Sequence, residues 1–203
     1  MLMLIAALTG NFGMGKSYVL SLFRELGAVT LESDRLVGML LKDRGVIRKV
    51  AEMMGEDVVT PEGALDKKAV AGKIFHDREM KDKLEALLHP LVFEKVKDFT
   101  DKIKNKNSLV IVEVPLLFEG GYQTRFEKVI TVCTSDETAL KRLAMAGVSE
   151  SDALARLRNQ LPTSEKKARA DYVIDNSGSK EQTRRKVEDV YRLLRREMAK
   201  GKD

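Results

Sequence analysis

The stretch from Gly10 to Ser17 constrains the fold of this chain more than any other part of its sequence. It reads GNFGMGKS and has the G-x-x-x-x-G-K-S spacing of a phosphate-binding loop, in which backbone N–H groups and a helix N-terminus surround a phosphate. An apolar run from Met3 to Leu8 precedes the loop, and a helical pattern begins near Lys16. This order of strand, loop and helix predicts an α/β protein that binds a nucleoside triphosphate.

The residue types within the loop have separate expected tasks. The ammonium group of Lys16 is expected to reach the β- and γ-phosphates, and the Ser17 hydroxyl is expected to bind a Mg²⁺ ion held by the nucleotide. The glycines allow successive N–H groups to face one anion. The predicted nucleotide-binding residues are Gly10, Asn11, Phe12, Gly13, Met14, Gly15, Lys16 and Ser17.

Several other short apolar runs are typical of strands that are buried on both faces. They are Ala28–Leu31, Leu109–Val112, Lys128–Cys133 and Asp171–Ile174. Together with the first run they predict a doubly wound, five-stranded parallel α/β sheet flanked by helices. Ligands of such sheets bind at the carboxyl ends of the strands, where the loop, Asp34, Glu113 and Thr134 fall.

Residues 35–106 have helical periodicity without convincing strands. The stretch is longer than an ordinary crossover between two strands, so we interpret it as a helical substrate-binding insert. The pair His89-Pro90 is expected to interrupt one of its helices, because proline lacks the N–H group that a helix interior requires.

Length and composition indicate one domain and restrict the possible partners. With 203 residues, of which 43% are hydrophobic and 33% charged, the chain can build one sizeable core, so we treat residues 1–203 as a single domain. The net charge of +5 suits an anionic ligand, although it also suits a nucleic acid. An aromatic content of only 5% argues against single-stranded nucleic acid. The basic cluster at Arg184–Arg196 is interleaved with acidic residues, which favours a solvated helix face.

The single cysteine and the apolar N-terminal stretch indicate in which cellular compartment the protein is expected. Cys133 cannot form an internal disulfide and is expected to be a small buried side chain. The apolar start at Met1–Leu8 is too short to span a membrane and is better explained as a buried strand. We therefore expect a cytoplasmic protein without membrane contact, as a monomer or a weak homo-oligomer.

Beyond the loop, a series of motifs resembles the dephospho-CoA kinase family. They occur in the family's order: ESD at 32–34, LLHP at 87–90, EVPLLFE at 113–119, LKR at 140–142 and ARADYVIDNSG at 168–178. They cover nearly the whole chain and are more specific than the loop alone. The resemblance implies a P-loop kinase-like fold with ATP and dephospho-CoA as partners. It also implies transfer of the γ-phosphoryl group to the ribose 3′-hydroxyl, with Mg²⁺ as cofactor.

Two carboxylates at strand ends acquire expected roles from this resemblance. Asp34 aligns with the group that orients the acceptor hydroxyl or accepts its proton, whereas by sequence alone it could be the N-cap of a helix. Glu113 could reach Mg²⁺ through water, or it could be an exposed charge at the end of a strand.

Arg142 and Arg169 are expected to stabilise the transferring phosphoryl group together with Lys16. By composition alone they are ordinary surface arginines. The resemblance favours the catalytic role because the two arginines bracket residues 144–167, which are similar to a mobile lid over ATP. A second arginine that the family usually has after Arg142 is absent, and Arg156, Arg158 or Arg169 could compensate for it.

The acceptor is expected to contact His89, Pro115 and Leu116. In the family the His-Pro pair lies on the helical insert that receives dephospho-CoA, although His89 could also be a solvated residue. The first carboxylate of the ESD motif, Glu32, stands where many relatives have aspartate, so its role is open.

Two other classes of function remain possible at this point. One is a different P-loop kinase for a nucleoside or a nucleoside monophosphate, which would share the ATP residues and differ at the acceptor site. The other is an NTPase switch or an ATPase linked to nucleic acid. The segment Val132–Asp136 lacks the Asn-Lys-x-Asp motif of a GTPase, which argues against the switch.

Overall fold

The computed structural model, which describes residues 3–103 and 108–200, has a single sheet of parallel strands. The strands are β1 (Leu4–Thr9), β2 (Val29–Glu32), β3 (Leu109–Glu113), β4 (Lys128–Cys133) and β5 (Tyr172–Asp175). They are ordered β2-β3-β1-β4-β5, and every neighbouring pair is parallel. The predicted doubly wound, five-stranded parallel sheet is confirmed.

The helices that the structure describes follow the strands in the expected alternation. They are α1 (Lys16–Glu25), α2 (Ser33–Leu40), α3 (Arg44–Met54), α4 (Lys67–His76), α5 (Arg78–Asp101), α6 (Asp136–Met145), α7 (Glu150–Arg158), α8 (Thr163–Arg169) and α9 (Lys180–Lys200). None of these helices is long and apolar enough to cross a membrane.

The chain divides into two units. The sheet unit contains the described residues up to Glu32 and those from Ile103 onward, and the helical unit is Ser33–Lys102. Within the helical unit, strand-like pairing is limited to an isolated antiparallel bridge between Val59 and Leu65. The predicted insert at 35–106 overlaps the helical unit, and its residues 104–106 lie outside the described part of the chain.

The core of the sheet unit explains why the strand sequences are apolar throughout. Ala6 and Leu8 of β1 belong to a buried cluster that α1 and α9 cover, whereas Ala7 packs on the opposite face with Leu117 and Val129. Successive side chains of a strand point to opposite faces, so a sheet covered on both sides requires apolar residues at every position. Cys133 is also buried, as expected, and burial raises the pKa of its thiol.

The predicted interruption at His89-Pro90 is wrong. Pro90 lies inside α5, which continues from Arg78 to Asp101. The buried residues Leu84, Leu88, Val92, Val96 and Thr100 recur every fourth position along this helix. Because this buried stripe continues on both sides of Pro90, packing of α5 within the helical unit outweighs the missing backbone hydrogen bond.

Candidate active site

The phosphate-binding loop connects the carboxyl end of β1 to the first turn of α1, as the sequence predicts. Gly10 has a φ of 146°, and a Cβ atom at this position would lie 2.3 Å from the backbone oxygen of Val132 in β4. No side chain fits at that distance. Glycine therefore permits the chain to leave β1 directly against the neighbouring strand.

Met14 anchors the loop from the inside, although the motif leaves its identity open. Its side chain is fully buried, and its Sδ atom accepts a hydrogen bond from the backbone N–H of Thr134 at 3.1 Å. Its carbonyl oxygen accepts a hydrogen bond from Asn176 Nδ2 at 2.9 Å. Asn176 Oδ1 in turn accepts from Thr183 Oγ1 at 3.0 Å, so Asn176 connects the loop to α9.

Lys16 and Ser17 are the first two residues of α1. The Lys16 Nζ atom donates to the carbonyl oxygen of Asn11 at 3.3 Å, so the side chain lies across the loop. The Ser17 side chain is exposed in the first helical turn. Both groups therefore stand at a helix N-terminus, where free N–H groups and the helix dipole favour an anion.

The end of β3 lies beside the end of β1. Leu8 is the register partner of Glu113, and the Thr9 hydroxyl donates to the carbonyl oxygen of Pro115 at 3.2 Å. Glu113 is only 9% exposed, so the alternative of an exposed charge at the strand end is wrong. Leu116 is 39% exposed and offers an apolar side chain to solvent. The structure thus brings Glu113 and Pro115 to the edge of the sheet that bears the loop.

Asp34 and His89 belong to the helical unit. Asp34 is exposed in the first turn of α2. Because α2 begins at Ser33, Asp34 is not its N-cap residue. His89 is half-buried on α5, and burial lowers the pKa of its imidazole, although Glu85 acts in the opposite direction. A lowered pKa leaves His89 neutral at pH 7, so one ring nitrogen can donate a hydrogen bond and the other can accept one.

The two arginines have different surroundings. Arg142 Nη2, from α6, donates to the carbonyl oxygen of Asn176 at 2.9 Å, and its buried Nη1 has no hydrogen-bond partner among the described residues. Arg169 ends α8, where it pairs with Glu165 at 3.2 Å and stacks 4.6 Å from the centroid of the Phe118 ring. Arg142 is therefore held beside Asn176, the residue that anchors the loop. Arg169 instead contacts Glu165 of its own helix and the ring of Phe118.

Part of the segment predicted as a lid, residues 144–167, contacts the phosphate-binding loop. The Asn11 Nδ2 atom donates to the carbonyl oxygen of Leu161 at 3.0 Å and to the Thr163 hydroxyl at 3.3 Å. Leu161 also packs against the buried cluster that contains Ala7, Leu117 and Val129. The stretch after α7 thus lies directly on the first half of the loop.

Phe12 receives two further contacts from the same segment. Its backbone N–H donates to Gln160 Oε1 at 2.8 Å. The Arg156 guanidinium lies 4.8 Å from the centroid of the Phe12 ring, within the range of a cation–π contact. The guanidinium group of Arg156, in α7, therefore lies beside the loop. The second arginine that the family usually has after Arg142 is absent from this chain.

The sequence alone indicates no role for Asn176, Glu119 or Lys166. Asn176 and Glu119 lie within the motifs ADYVIDNSG and EVPLLFE, which locate them without indicating what they contact. Lys166 is followed by a second lysine, and a charged pair of this kind normally indicates solvent exposure. In the structure Lys166 is fully buried and Lys167 is exposed, a difference that the local sequence does not reveal.

The oxygen donors near the loop fit a magnesium ion. The Ser17 hydroxyl and the Glu113 carboxylate are hard ligands of the type that Mg²⁺ prefers. Mg²⁺ in nucleotide sites usually takes one or two protein ligands and completes its shell with waters and phosphate oxygens. A donor set of one hydroxyl and one carboxylate is therefore sufficient for an ion bound together with a triphosphate.

Comparisons with known proteins agree with these features. Residues 4–182 match the family described as dephospho-CoA kinase (CoaE). The dephospho-CoA kinase of Aquifex aeolicus is 38% identical, over 94% of this chain and 97% of its own length. A crystal structure from Thermus thermophilus has a TM-score of 0.84 at 32% identity, covering 96% of this chain and 99% of that one. A dephospho-CoA kinase from Campylobacter jejuni has a TM-score of 0.72 at 25% identity, with 96% and 98% covered.

The matched range extends from β1 to the beginning of α9. It includes the phosphate-binding loop, the whole helical unit and the segment around Asn176. Similarity in sequence and similarity in structure therefore cover the same elements. The chain belongs to the dephospho-CoA kinase family.

Proposed function

We propose that the protein transfers the γ-phosphoryl group of ATP to the ribose 3′-hydroxyl of dephospho-CoA, giving coenzyme A and ADP. The observation that carries this proposal is the family match over residues 4–182, which spans the donor loop and the later motifs. In phosphoryl transfer, the protein mainly positions the two reactants and stabilises the charge of the transferring group. The loop, its flanking cations and the carboxylates at the strand ends are groups suited to that task.

On the donor side, the loop N–H groups and Lys16 would hold the β- and γ-phosphates of ATP. Lys16 would exchange its hydrogen bond with the Asn11 carbonyl oxygen for phosphate oxygens. Asn176 supports this arrangement because it fixes the Met14 carbonyl oxygen and thereby the direction of the adjoining peptides. The phosphate oxygens carry negative charge, so the ammonium group binds them more strongly than it binds a neutral carbonyl oxygen, which favours the exchange.

On the acceptor side, Asp34 would orient the ribose 3′-hydroxyl and accept its proton as the new bond forms. An exposed carboxylate in the first turn of α2 is free to meet an incoming hydroxyl. The neutral imidazole of His89 would hydrogen-bond the acceptor without adding charge. Pro115 and Leu116 would provide apolar contact for the acceptor at the exit of β3.

The cations would stabilise the charge that develops on the transferring group. Arg142 has a buried Nη1 group without a hydrogen-bond partner in the described chain, so it can donate to a phosphate oxygen without breaking an existing bond. Arg169 would need to leave Glu165 to do the same. We also propose that Arg156, through its position over Phe12, compensates for the arginine missing after Arg142.

Ser17 and Glu113 are the residues that would hold Mg²⁺, Ser17 directly and Glu113 through water. When bound with ATP, the ion neutralises charge on the β- and γ-phosphate oxygens. The position of Glu113 at the end of β3, paired in register with Leu8 just before the loop, supports this role.

An acceptor screen tests the proposed substrate. Purified protein with MgATP is offered dephospho-CoA, adenosine and AMP in parallel, and ADP release is followed for each. We expect dephospho-CoA to have the highest kcat/KM by several orders of magnitude, since P-loop kinases of similar donor loops differ at the acceptor site. Faster turnover of adenosine or AMP would instead assign the protein to the nucleoside or nucleotide kinases.

We further propose that the reaction takes place in the cytoplasm, with a monomer or a weak homo-oligomer as the active form and without nucleic acid. Basic residues of α9 pair with acidic residues, as Arg184 does with Glu25 of α1 at 2.6 Å, which supports a solvated face. Titration with duplex and single-stranded DNA at low salt checks this point, because binding through phosphates is strongest there. Micromolar affinity that falls steeply with added salt would contradict it.

A further inference from the structure

Lys166 and Glu119 form an ion pair that the proposed reaction does not use. Lys166 Nζ lies 2.7 Å from Glu119 Oε1, and the relative exposures of the two side chains are 0% and 16%. A fully buried ammonium group is rare unless it is paired, because removing an isolated charge from water carries a large free-energy penalty. The surrounding residues therefore hold this pair in one place, whereas the ion pairs of the surface helices are exposed to solvent.

Glu119 does more than neutralise Lys166. Its Oε1 atom also accepts a hydrogen bond from the backbone N–H of Leu161 at 2.9 Å. The second carboxylate oxygen, Oε2, is buried without a hydrogen-bond partner in the described chain. The carboxylate thus joins the turn after β3 to two points of the segment that follows α7.

Lys166 is itself fixed on the sheet. Its backbone carbonyl oxygen accepts from the Thr131 hydroxyl of β4 at 3.3 Å. Its Nζ atom also lies 3.5 Å from the carbonyl oxygen of Pro115, the acceptor of the Thr9 hydroxyl bond. The backbone of Lys166 is therefore bound to β4, and its ammonium group lies beside Pro115, which follows β3 and also binds the last residue of β1.

Leu161, which this pair holds, also contacts the phosphate-binding loop. The N–H of Leu161 is bound by Glu119, and the carbonyl oxygen of the same residue accepts from Asn11 Nδ2. Gln160, one residue earlier, accepts from the Phe12 N–H. A continuous path of hydrogen bonds therefore runs from Lys166 through Glu119 and Leu161 to the loop.

We propose that Glu119 and Lys166 are positioning residues for ATP binding: the buried pair fixes Leu161, and through it the conformation of the loop at Asn11 and Phe12. This inference rests on the proposed binding of ATP by the loop, and it does not depend on the identity of the acceptor. Neither side chain is expected to touch the reacting atoms. Their effect passes through the Leu161 peptide, which donates to Glu119 and accepts from Asn11.

The experiment separates positioning from simple structural support by means of two double variants. In Glu119→Leu/Lys166→Met an apolar pair replaces the ion pair, which often preserves stability, but the acceptor for the Leu161 N–H is lost. In Glu119→Gln/Lys166→Met the charges are also removed, but the amide oxygen can still accept that hydrogen bond. The exposed α6 pair Glu137–Lys141, changed to Gln and Met, controls for the altered charges.

Calorimetry with a non-hydrolysable ATP analogue and Mg²⁺ measures the dissociation constant, and thermal unfolding without ligand measures stability. We expect Glu119→Leu/Lys166→Met to weaken nucleotide binding by roughly three- to tenfold, as for the loss of one positioned hydrogen bond. The Glu119→Gln/Lys166→Met variant should remain within about twofold of the wild type, and so should the control. The KM for ATP should follow the same order while kcat changes less.

Wild-type affinity in Glu119→Leu/Lys166→Met would overturn the proposal, as would equal weakening in both double variants. If the Leu/Met variant does not fold, Glu119→Asp provides the second test, because it keeps the charge and withdraws the carboxylate from Leu161. Wild-type nucleotide affinity in Glu119→Asp would then overturn the proposal. A wild-type protein that binds the analogue but does not phosphorylate dephospho-CoA would contradict the proposed function alone.

Discussion

Replacing Gly15 with alanine tests how the loop is held in its conformation. Gly15 has a φ of 86°, a region that side chains disfavour, and precedes the first residue of α1. A Cβ atom there would lie 2.2 Å from Asn176 Nδ2. Asn176 is 4% exposed and is bound at both ends of its amide, so it cannot simply rotate away. We therefore expect Gly15→Ala to break the hydrogen bond between Asn176 and the Met14 carbonyl oxygen.

The expected cost has two parts. A left-handed conformation costs an alanine about 1–2 kcal/mol. The loss of a buried hydrogen bond that leaves a carbonyl group unsatisfied costs about 1–3 kcal/mol. Together they lower the free energy of unfolding by about 2–5 kcal/mol, or the melting temperature by roughly 4–20 °C for a chain of this size. ATP binding should weaken as well, because the disturbed peptides belong to the loop.

A double-mutant cycle with Asn176→Ala isolates the clash, with urea unfolding as the assay. In the Asn176→Ala background the Cβ atom has room, so Gly15→Ala should cost only the backbone term of about 1–2 kcal/mol. Gly147→Ala is the matched control, since Gly147 has a φ of 78° and no heavy atom of the described residues lies within 4 Å of a Cβ atom there. An equal cost of Gly15→Ala with and without Asn176 would refute the reasoning.

Three other substitutions have defined outcomes. Asp34→Asn should lower kcat by a factor of about 10²–10⁴ with ATP affinity retained, while Asp98→Asn, an exposed residue of α5, leaves turnover unchanged; equal activity of the two would exclude Asp34 from proton transfer. Pro90→Ala should raise the free energy of unfolding by about 1–3 kcal/mol because it restores a helix N–H, and a decrease would contradict a continuous α5. Burial and the hydrogen bond to Glu197 raise the pKa of Tyr172 from 10.0 to about 12, so folding favours the neutral phenol. The stability that Tyr172 contributes is complete below about pH 10 and is lost as the pH rises toward 12. The difference between wild type and Tyr172→Phe in urea unfolding should therefore shrink over that interval, and a constant difference would argue against the raised pKa.

The sheet could be predicted from the sequence because a strand buried on both faces needs an unbroken apolar run. The runs at Met3–Leu8 and Leu109–Val112 agree with β1 and β3 to within one residue at each end. The loop could also be predicted from the sequence, because close backbone approaches such as that of Gly10 to Val132 require its glycines. In both cases a local pattern records a local steric requirement.

The error at Pro90 has a different origin. Proline is a strong local signal against a helix interior, but the free energy of a long helix also includes burial of an entire stripe of side chains. Leu88 and Val92 are both buried and lie four residues apart on either side of the proline. The four-residue spacing is visible in the sequence. The free energy gained by burying these side chains depends on the helices that cover them, which the sequence does not show.

The buried partners of the site could not be predicted because their roles depend on distant segments. Glu119 pairs with Lys166, which is 47 residues away in the sequence, and Asn176 binds the Met14 carbonyl group, which is 162 residues away. Neither a charged pair of lysines nor an asparagine after a strand indicates such contacts locally. The family resemblance located the segments, and the folded chain identifies which of their side chains are buried against each other.

The proposed reaction transfers the γ-phosphoryl group to one particular hydroxyl group, the ribose 3′-hydroxyl of dephospho-CoA. The most direct measurement combines purified protein, MgATP and dephospho-CoA, with the product identified by mass spectrometry and ³¹P NMR. We predict stoichiometric formation of ADP and coenzyme A, with the new phosphate monoester on the ribose 3′-oxygen, and no transfer to the 3′-deoxy analogue of dephospho-CoA. Transfer to the 3′-deoxy analogue, or no transfer to dephospho-CoA while ATP remains bound, would contradict the account.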